Sequence, residues 1–340
     1  MYPDAEYVKV PMADGGEGTV QSLVDATSGT IINQSVIGPM GDMVSGFFGI
    51  LGDSRTAVVE MAAASGIHLV KSEERNIYLA SSFGTGQLIN AALDHGCDKL
   101  IIGLGGSATN DGGMGMMKAL GAQFLGQGGA PLAPDVRALL ELAKIDLQYL
   151  DPRLTKTEIV VACDVNNPLC GKNGASRIFG PQKGATGDDI VVLDKALARY
   201  GDVLAINTGR NIAVEPGSGA AGGLGAALIG LIDAVLKPGV DLVIGIVELA
   251  KSFVDADLVI TGEGQFDSQT IHGKTPAGVA KIAKSHNLPV ICIAGSIKDG
   301  ADIIQQMGID EIYSVIEGDY DLTEVLIAVS YTHLTLPTKA

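Results

Sequence analysis

The chain has 340 residues, 46% apolar and 18% charged, with a net charge of −16, 46 glycines and no tryptophan. Such a composition describes a globular protein with room for two domains and excludes a disordered or collagen-like chain. The acidic balance argues against nucleic acid or an anionic membrane as partner, so any phosphate site must be built locally from backbone N–H groups, a few cations or a metal.

In chain order, residues 8–10 read as a strand and 20–26 as a helix. Apolar runs at 30–32, 44–51 and 56–60, separated by Gly-Pro, Gly-Asp and Gly-Asp-Ser turns, predict an antiparallel meander. Strand–helix alternation follows, with helices at 88–93 and 114–120, buried strands at 99–102 and 158–162, and a long helix rich in small residues at 221–236. After Lys237-Pro238-Gly239 come a helix at 243–253, a strand at 258–261, a helix at 277–283 and strands at 290–293 and 312–316, a parallel βαβ series with right-handed crossovers.

These elements predict an α/β protein of two domains. Residues 1–29 and 237–329 form a discontinuous Rossmann-like parallel-sheet domain, and residues 30–236 an inserted mixed α/β domain. The first strand stands almost at the start of the chain, leaving no room for an earlier βα unit. The Thr-rich segment 330–340 interrupts a helix beginning near Leu322 and reads as a non-native tail. Cys97, Cys163, Cys170 and Cys292 lack C-x-x-C spacing, the first residues are polar and acidic, and Gly, Asp or Lys interrupts every apolar stretch. A reduced, cytoplasmic protein without signal peptide or membrane span is expected.

Chemistry concentrates at predicted strand ends, where open α/β sheets bind ligands. The segment 103–113, Gly-Leu-Gly-Gly-Ser-Ala-Thr-Asn-Asp-Gly-Gly, joins a buried strand to a helix; its amides can cradle an anion while Ser107, Asn110 and Asp111 orient a small polar ligand. A tight turn capped by Asn110 or Asp111 is the plainer reading. Asp14 and Glu17, among three glycines at 15–18, can hold Mg²⁺ or accept a hydroxyl proton, or simply start a helix. Glu263 and Asp267 follow another strand and are metal candidates. Asp164 stands at the end of the 158–162 strand, and Lys183 lies between Gly180 and Gly184.

Two motifs mislead. Gly273-Lys274-Thr275 lacks the earlier glycine of a Walker A loop, Ser268 standing there, although Lys274 can still reach a phosphate. Residues 217–222 spell G-x-G-x-x-G after a poor strand at 211–216. Gly219 and Gly222 therefore suit a phosphate-binding helix start or close helix packing better than a dinucleotide site. His68, His95, His272 and His286 share no metal spacing, and neither a Ser-His-Asp order nor a G-x-S-x-G elbow is present.

Six blocks in order, PMADGGEGT (11–19), GLGGSATNDGG (103–113), ACDVNNPLCG (162–171), FGPQKGA (179–185), PGSGAAGGLG (216–225) and ITGEGQFDSQTIHGKTP (260–276), resemble the type I glycerate kinases of bacteria. The resemblance runs from about residue 3 to 326. It implies transfer of the ATP γ-phosphoryl group to D-glycerate, with Mg²⁺, in a cleft between two α/β domains, and 2-phosphoglycerate as product. The family's opening strand, with its A-P-D-S-F-K-G-S loop, and its closing helix have no counterpart here, which implies a weakened or inactive chain. Residue chemistry and predicted strand ends, rather than the resemblance, suggest the roles: Ser107, Asn110, Asp111, Gly219, Gly222 and Lys274 position substrate or phosphate. Glu263 and Asp267 hold the metal, Asp14 or Asp164 is the base, and Lys183 neutralises charge. Two rivals are a nicotinamide-dependent dehydrogenase of a small hydroxy acid and a non-catalytic sugar-acid-binding regulator. Oligomeric state is not read from these residues.

Overall fold

A computed structural model describes residues 5–266, 275–297 and 307–314. The chain divides into two compact units between Val247 and Glu248.

The first unit is built on a six-stranded mixed sheet. Strands β1 (Thr30–Ile37), β2 (Met43–Ile50) and β3 (Thr56–Glu60) form the expected antiparallel meander. Strands β4 (Lys99–Gly103), β7 (Glu158–Ala162) and β8 (Val235–Lys237) then add in parallel, in the order β1-β2-β3-β4-β7-β8; β5 (Gln123–Gly126) and β6 (Leu142–Asp146) pair with each other as a separate hairpin.

Side chains alternate across a strand, and here both faces are covered. Ala57, Val59, Leu100, Ile102, Ile159 and Val161 enter one core with helices α3 (Phe83–Asp94), α4 (Met114–Ala119), α6 (Gly187–Thr208) and α7 (Ala220–Leu231). Val58, Ile101, Val160 and Ala162 enter the other with α1 (Thr19–Thr27) and α8 (Gly239–Ile246). The result is a three-layer sandwich; short helices α2 (Ala62–Ser65) and α5 (Ala175–Phe179) follow β3 and β7.

The second unit contributes a parallel sheet in the order β11-β10-β9, from β9 (Val259–Phe266), β10 (Val290–Ile297) and β11 (Glu311–Ser314), with α9 (Thr275–Ser285) between the first two. The expected βαβ series is found there. Among the described residues no helix is long and apolar enough to cross a membrane, and all four cysteines are free.

Several expectations change. Residues 8–10 are irregular backbone with Val8 exposed, because alternation makes a strand only where a neighbour offers a ladder. The expected helix at 221–236 splits: left-handed Ala221, Gly222 and Gly223 break its start, and 235–237 become an edge strand. Short apolar runs do not by themselves distinguish a helical turn from a strand. The helix expected at 243–253 ends at Ile246, and a 3₁₀ turn (Leu249–Phe253) follows left-handed Glu248. Helices α1 and α8 group with the six-stranded sheet, whereas the sequence division joined them to the C-terminal strands. Which face a short amphipathic helix covers is a tertiary matter that its periodicity does not record. Helix α6, the longest element among the described residues at 22 residues, is unmarked in the sequence reading although Thr186 and Asp189 form a reciprocal cap at its start. The helix expected near Leu322 and the segment 330–340 lie outside the described residues.

Candidate active site

Strands β3, β4 and β7 end flush: Glu60 pairs with Gly103, and Gly103 with Ala162. A cleft of about 290 Å³ opens over the ends of β4 and β7, between the 14–16 loop, the 104–107 loop and the segment after β7, with Gln182 and Ala221 also on its wall. The 14–16 loop lies directly on the strand ends. Gly15 has φ +91°, and a Cβ there would stand 2.6 Å from the Cβ of Ala162, so only glycine permits the contact. Thr19 staples this loop, accepting from the Gly15 amide at 3.1 Å and donating to the Gly16 carbonyl at 2.8 Å. Glu60, buried at the end of β3, accepts from the Val20 amide at 2.7 Å and so ties the start of α1 to the sheet. Burial raises the Glu60 carboxyl above its usual range, while the amides of Val20, Gly18 and Thr19 draw it back.

Lys183 is the least expected feature. It ends a 3₁₀ turn (Pro181–Lys183), is only 2% exposed, and donates to Ser107 Oγ at 2.7 Å and the Thr109 carbonyl at 2.6 Å. Burial lowers its pKa to about 7, opposed by the charge of Asp111. Ser107 lines the cleft, so a cation stands immediately behind a cleft hydroxyl.

Asp111, 2% exposed, is spent on the protein itself. Oδ2 accepts from the Ser82 amide (2.9 Å), the Ser82 hydroxyl (2.8 Å) and the Gly115 amide (3.0 Å), and Oδ1 from the Gly113 amide (3.0 Å). Four donors fill a carboxylate's acceptor capacity, and they hold the start of α4. Asn110 is fully buried; its Nδ2 donates to Ser176 Oγ at 3.0 Å and its Oδ1 has no partner. Gly222 (φ +68°) presses against the same loop, a Cβ there falling 2.0 Å from the Thr109 carbonyl, and one at Gly219 would fall 2.2 Å from the Pro168 carbonyl. These two glycines serve backbone-to-backbone packing, the plainer of the readings the sequence left open.

At the cleft mouth Asp164 accepts from the Gly239 amide at 2.9 Å. Desolvation raises its carboxyl above the ordinary range, and the charges of Asp14 and Asp241 add to that. Asp14 accepts from the Gly16 amide at 3.2 Å. Of the residues singled out in the sequence, the structure thus brings Asp14, Ser107 and Asp164 around one cleft, with Lys183 behind Ser107. Asn110, Asp111, Gly219 and Gly222 lie in the packed layer beneath. Glu263 belongs to the other unit, inside β9 opposite Ala294; its charge, after burial, helps push the Cys292 thiol up to about 11. Asp267 and Lys274 lie outside the described residues.

Sequence reasoning passed over Glu60, Gln182 and Ala221. A carboxylate closing an otherwise apolar strand was a readable signal for Glu60. Ala221 has φ 50°, a conformation that no local pattern announces in a non-glycine residue.

Comparison with known proteins gives a consistent result. The family profile described as Glycerate kinase family matches residues 1–337. A glycerate kinase of Bacillus subtilis is 53% identical over 95% of this chain and 85% of its own length. One from Haemophilus influenzae is 52% identical over 96% and 86%, and a glycerate 2-kinase of Escherichia coli is 50% identical over 93% and 83%. A crystal structure from Salmonella typhimurium LT2, provisionally assigned as glycerate kinase 2, superposes with a TM-score of 0.86 at 50% identity, covering 97% of this chain and 86% of that one.

Proposed function

The chain belongs to the glycerate kinase family, and on that premise we propose that it phosphorylates D-glycerate at the 2-hydroxyl with ATP and Mg²⁺, giving 2-phosphoglycerate. The observation that carries the reading is the cleft over β4 and β7, which combines a glycine-backbone floor, a hydroxyl backed by a buried cation, and two carboxylates at the mouth. Phosphoryl transfer depends mainly on alignment and charge neutralisation, which these groups are suited to supply.

In this reading the hydroxyl oxygen of the acid bonds to the γ-phosphorus as the bond to the β,γ-bridging oxygen breaks, and ADP departs with that oxygen. The hydroxyl proton passes to Asp164, whose raised pKa brings it nearer the range useful for a base; Asp14 is the alternate acceptor. Ser107 and the glycine backbone of the two loops hold anionic oxygens, and Lys183 supplies positive charge from behind. Glu263 and Asp267 would hold magnesium, which would supply positive charge against the transferring phosphates. Lys274 is assigned to a phosphate contact. The name of the Escherichia coli relative supports the 2-position, and four free thiols suit a reducing cytoplasm. The dehydrogenase reading loses support because the 217–222 segment follows a 3₁₀ turn (Ile212–Val214) and no buried strand.

The test is coupled ADP release with D-glycerate, with and without a magnesium chelator, and phosphorus NMR of the product. Magnesium-dependent formation of 2-phosphoglycerate is expected. A chain that binds ATP yet phosphorylates no three-carbon hydroxy acid would overturn the reading.

A further inference from the structure

The hydrogen bonds around Lys183 constrain a proton on its neighbour. An ammonium has three donors and no acceptor, and two of these donors point at Ser107 Oγ and the Thr109 carbonyl. Ser107 Oγ therefore accepts from Lys183, and its own proton must lie elsewhere. Among the described residues its hydroxyl has no other partner, and Ser107 lines the cleft while Lys183 is sealed from it.

We propose that Lys183 is a positioning residue that sets the polarity of Ser107. With Lys183 protonated, the Ser107 hydroxyl donates into the cleft to an anionic oxygen of the bound substrate. With Lys183 neutral, the hydroxyl turns to donate to Nζ and shows only lone pairs to that oxygen. The anionic oxygen is a carboxylate of the acid or a phosphate of the nucleotide, and the proposal rests on the glycerate kinase reading for that pair of candidates. It names a switch in binding that simple charge neutralisation does not contain.

Two charged groups face Lys183. Asp111, on the loop that carries Ser107, favours the ammonium from a distance, its own oxygens being engaged with Ser82, Gly113 and Gly115. Arg75, permanently cationic, lines with Lys183 a water-sized cavity of about 10 Å³. Neither forms a contact ion pair with Nζ, so burial dominates, and a pKa of about 7 lets both states be populated near neutrality.

The experiment measures KM and kcat for D-glycerate and for ATP from about pH 6 to 9 on the wild type, Ser107→Ala and Lys183→Arg. One KM of the wild type is expected to rise through about pH 7, by about tenfold in all, the scale of one hydrogen bond to a charged group. The substrate whose KM rises identifies the oxygen. In Ser107→Ala that KM is high at every pH and the rise is gone, while Lys183→Arg, if it folds, keeps the KM low at alkaline pH. A wild-type KM flat in pH for both substrates, or a rise that survives in Ser107→Ala, overturns the proposal. A second measurement is independent of turnover: nitrogen-15 NMR of Lys183 Nζ should show titration near pH 7, shifted to lower pH in Ser107→Ala. An unshifted Nζ titration also overturns it. Absence of any glycerate turnover in the wild type would defeat the functional reading alone and leave the NMR result to decide the polarity of Ser107.

Discussion

Residues 100–113 and 258–266 look alike in sequence and end differently. Each runs from apolar residues into glycines and a carboxylate. The first leaves its sheet at Gly103 and becomes a cleft wall; the second stays in its sheet as far as Phe266. The cause lies in the neighbours. Strand β4 is flanked by β3 and β7, which both stop at its own last residue. Strand β9 is paired by β10 out to Phe266 opposite Ile297. A strand ends where its partners stop offering N–H and C=O groups, so glycine and carboxylate content marks a loop only when the register agrees.

The comparison is most strongly tested at Gly222, which packs on the 103–113 loop. Gly222→Ala places a Cβ 2.0 Å from the Thr109 carbonyl at a left-handed φ, and should destabilise the first unit by about 3 kcal/mol or more. Urea unfolding followed by circular dichroism measures this, and a loss below about 1 kcal/mol would show that the loop can back away. Next is Asp111→Asn, which removes a carboxylate from four buried donors and the counter-charge from Lys183. A loss of about 2 kcal/mol is expected, with turnover per folded molecule changing less than tenfold. A hundredfold fall in kcat at unchanged stability would instead return Asp111 to the ligand.

Lys183 offers a signal that depends on pH. Its pKa falls from 10.5 to about 7 on folding, so between those values the unfolded chain carries the extra proton and stability rises with pH. Relative to Lys183→Met, the wild type should gain at most about 1.4 kcal/mol per pH unit from about pH 7 to 10, and nothing below that window. Urea midpoints of the two proteins at pH 6 and 9 give the difference, which should be positive. The smallest effect belongs to β9. Gly264 has nothing within 4 Å of a built Cβ, so Gly264→Ala should alter stability by no more than about 0.5 kcal/mol. A large loss there would mean that β9 is as tightly constrained as the cleft loop.

Much of the first unit was legible because its strands are continuous apolar runs, as buried parallel strands require: 99–102 and 158–162 were found almost to the residue. Asp164 was legible as a site candidate because it follows such a run, whereas Asp14 was singled out after an expected strand at 8–10 that is irregular backbone, and it reaches the cleft wall through the 14–16 loop. Lys183 was legible only as a lysine between glycines. It stands 76 positions from Ser107, and nothing local distinguishes a lysine buried against a hydroxyl from one in water. For Asp111 and Gly222 the plainer readings, a helix cap and close packing, were open in the sequence, but their distant partners were not: Ser82 for the one, Thr109 for the other.

Cys163 adds a practical handle. Its thiol lines the cleft, donates to the Val165 carbonyl at 3.3 Å, and is held toward the protonated form by burial. A thiol in that state alkylates slowly at neutral pH and faster in base. Cys97 and Cys292 are buried, and Cys170 is not part of the cleft wall. The rate at which a maleimide labels Cys163, read peptide by peptide in a mass spectrometer, should therefore drop as the cleft fills, turning one native side chain into an occupancy gauge that needs no turnover.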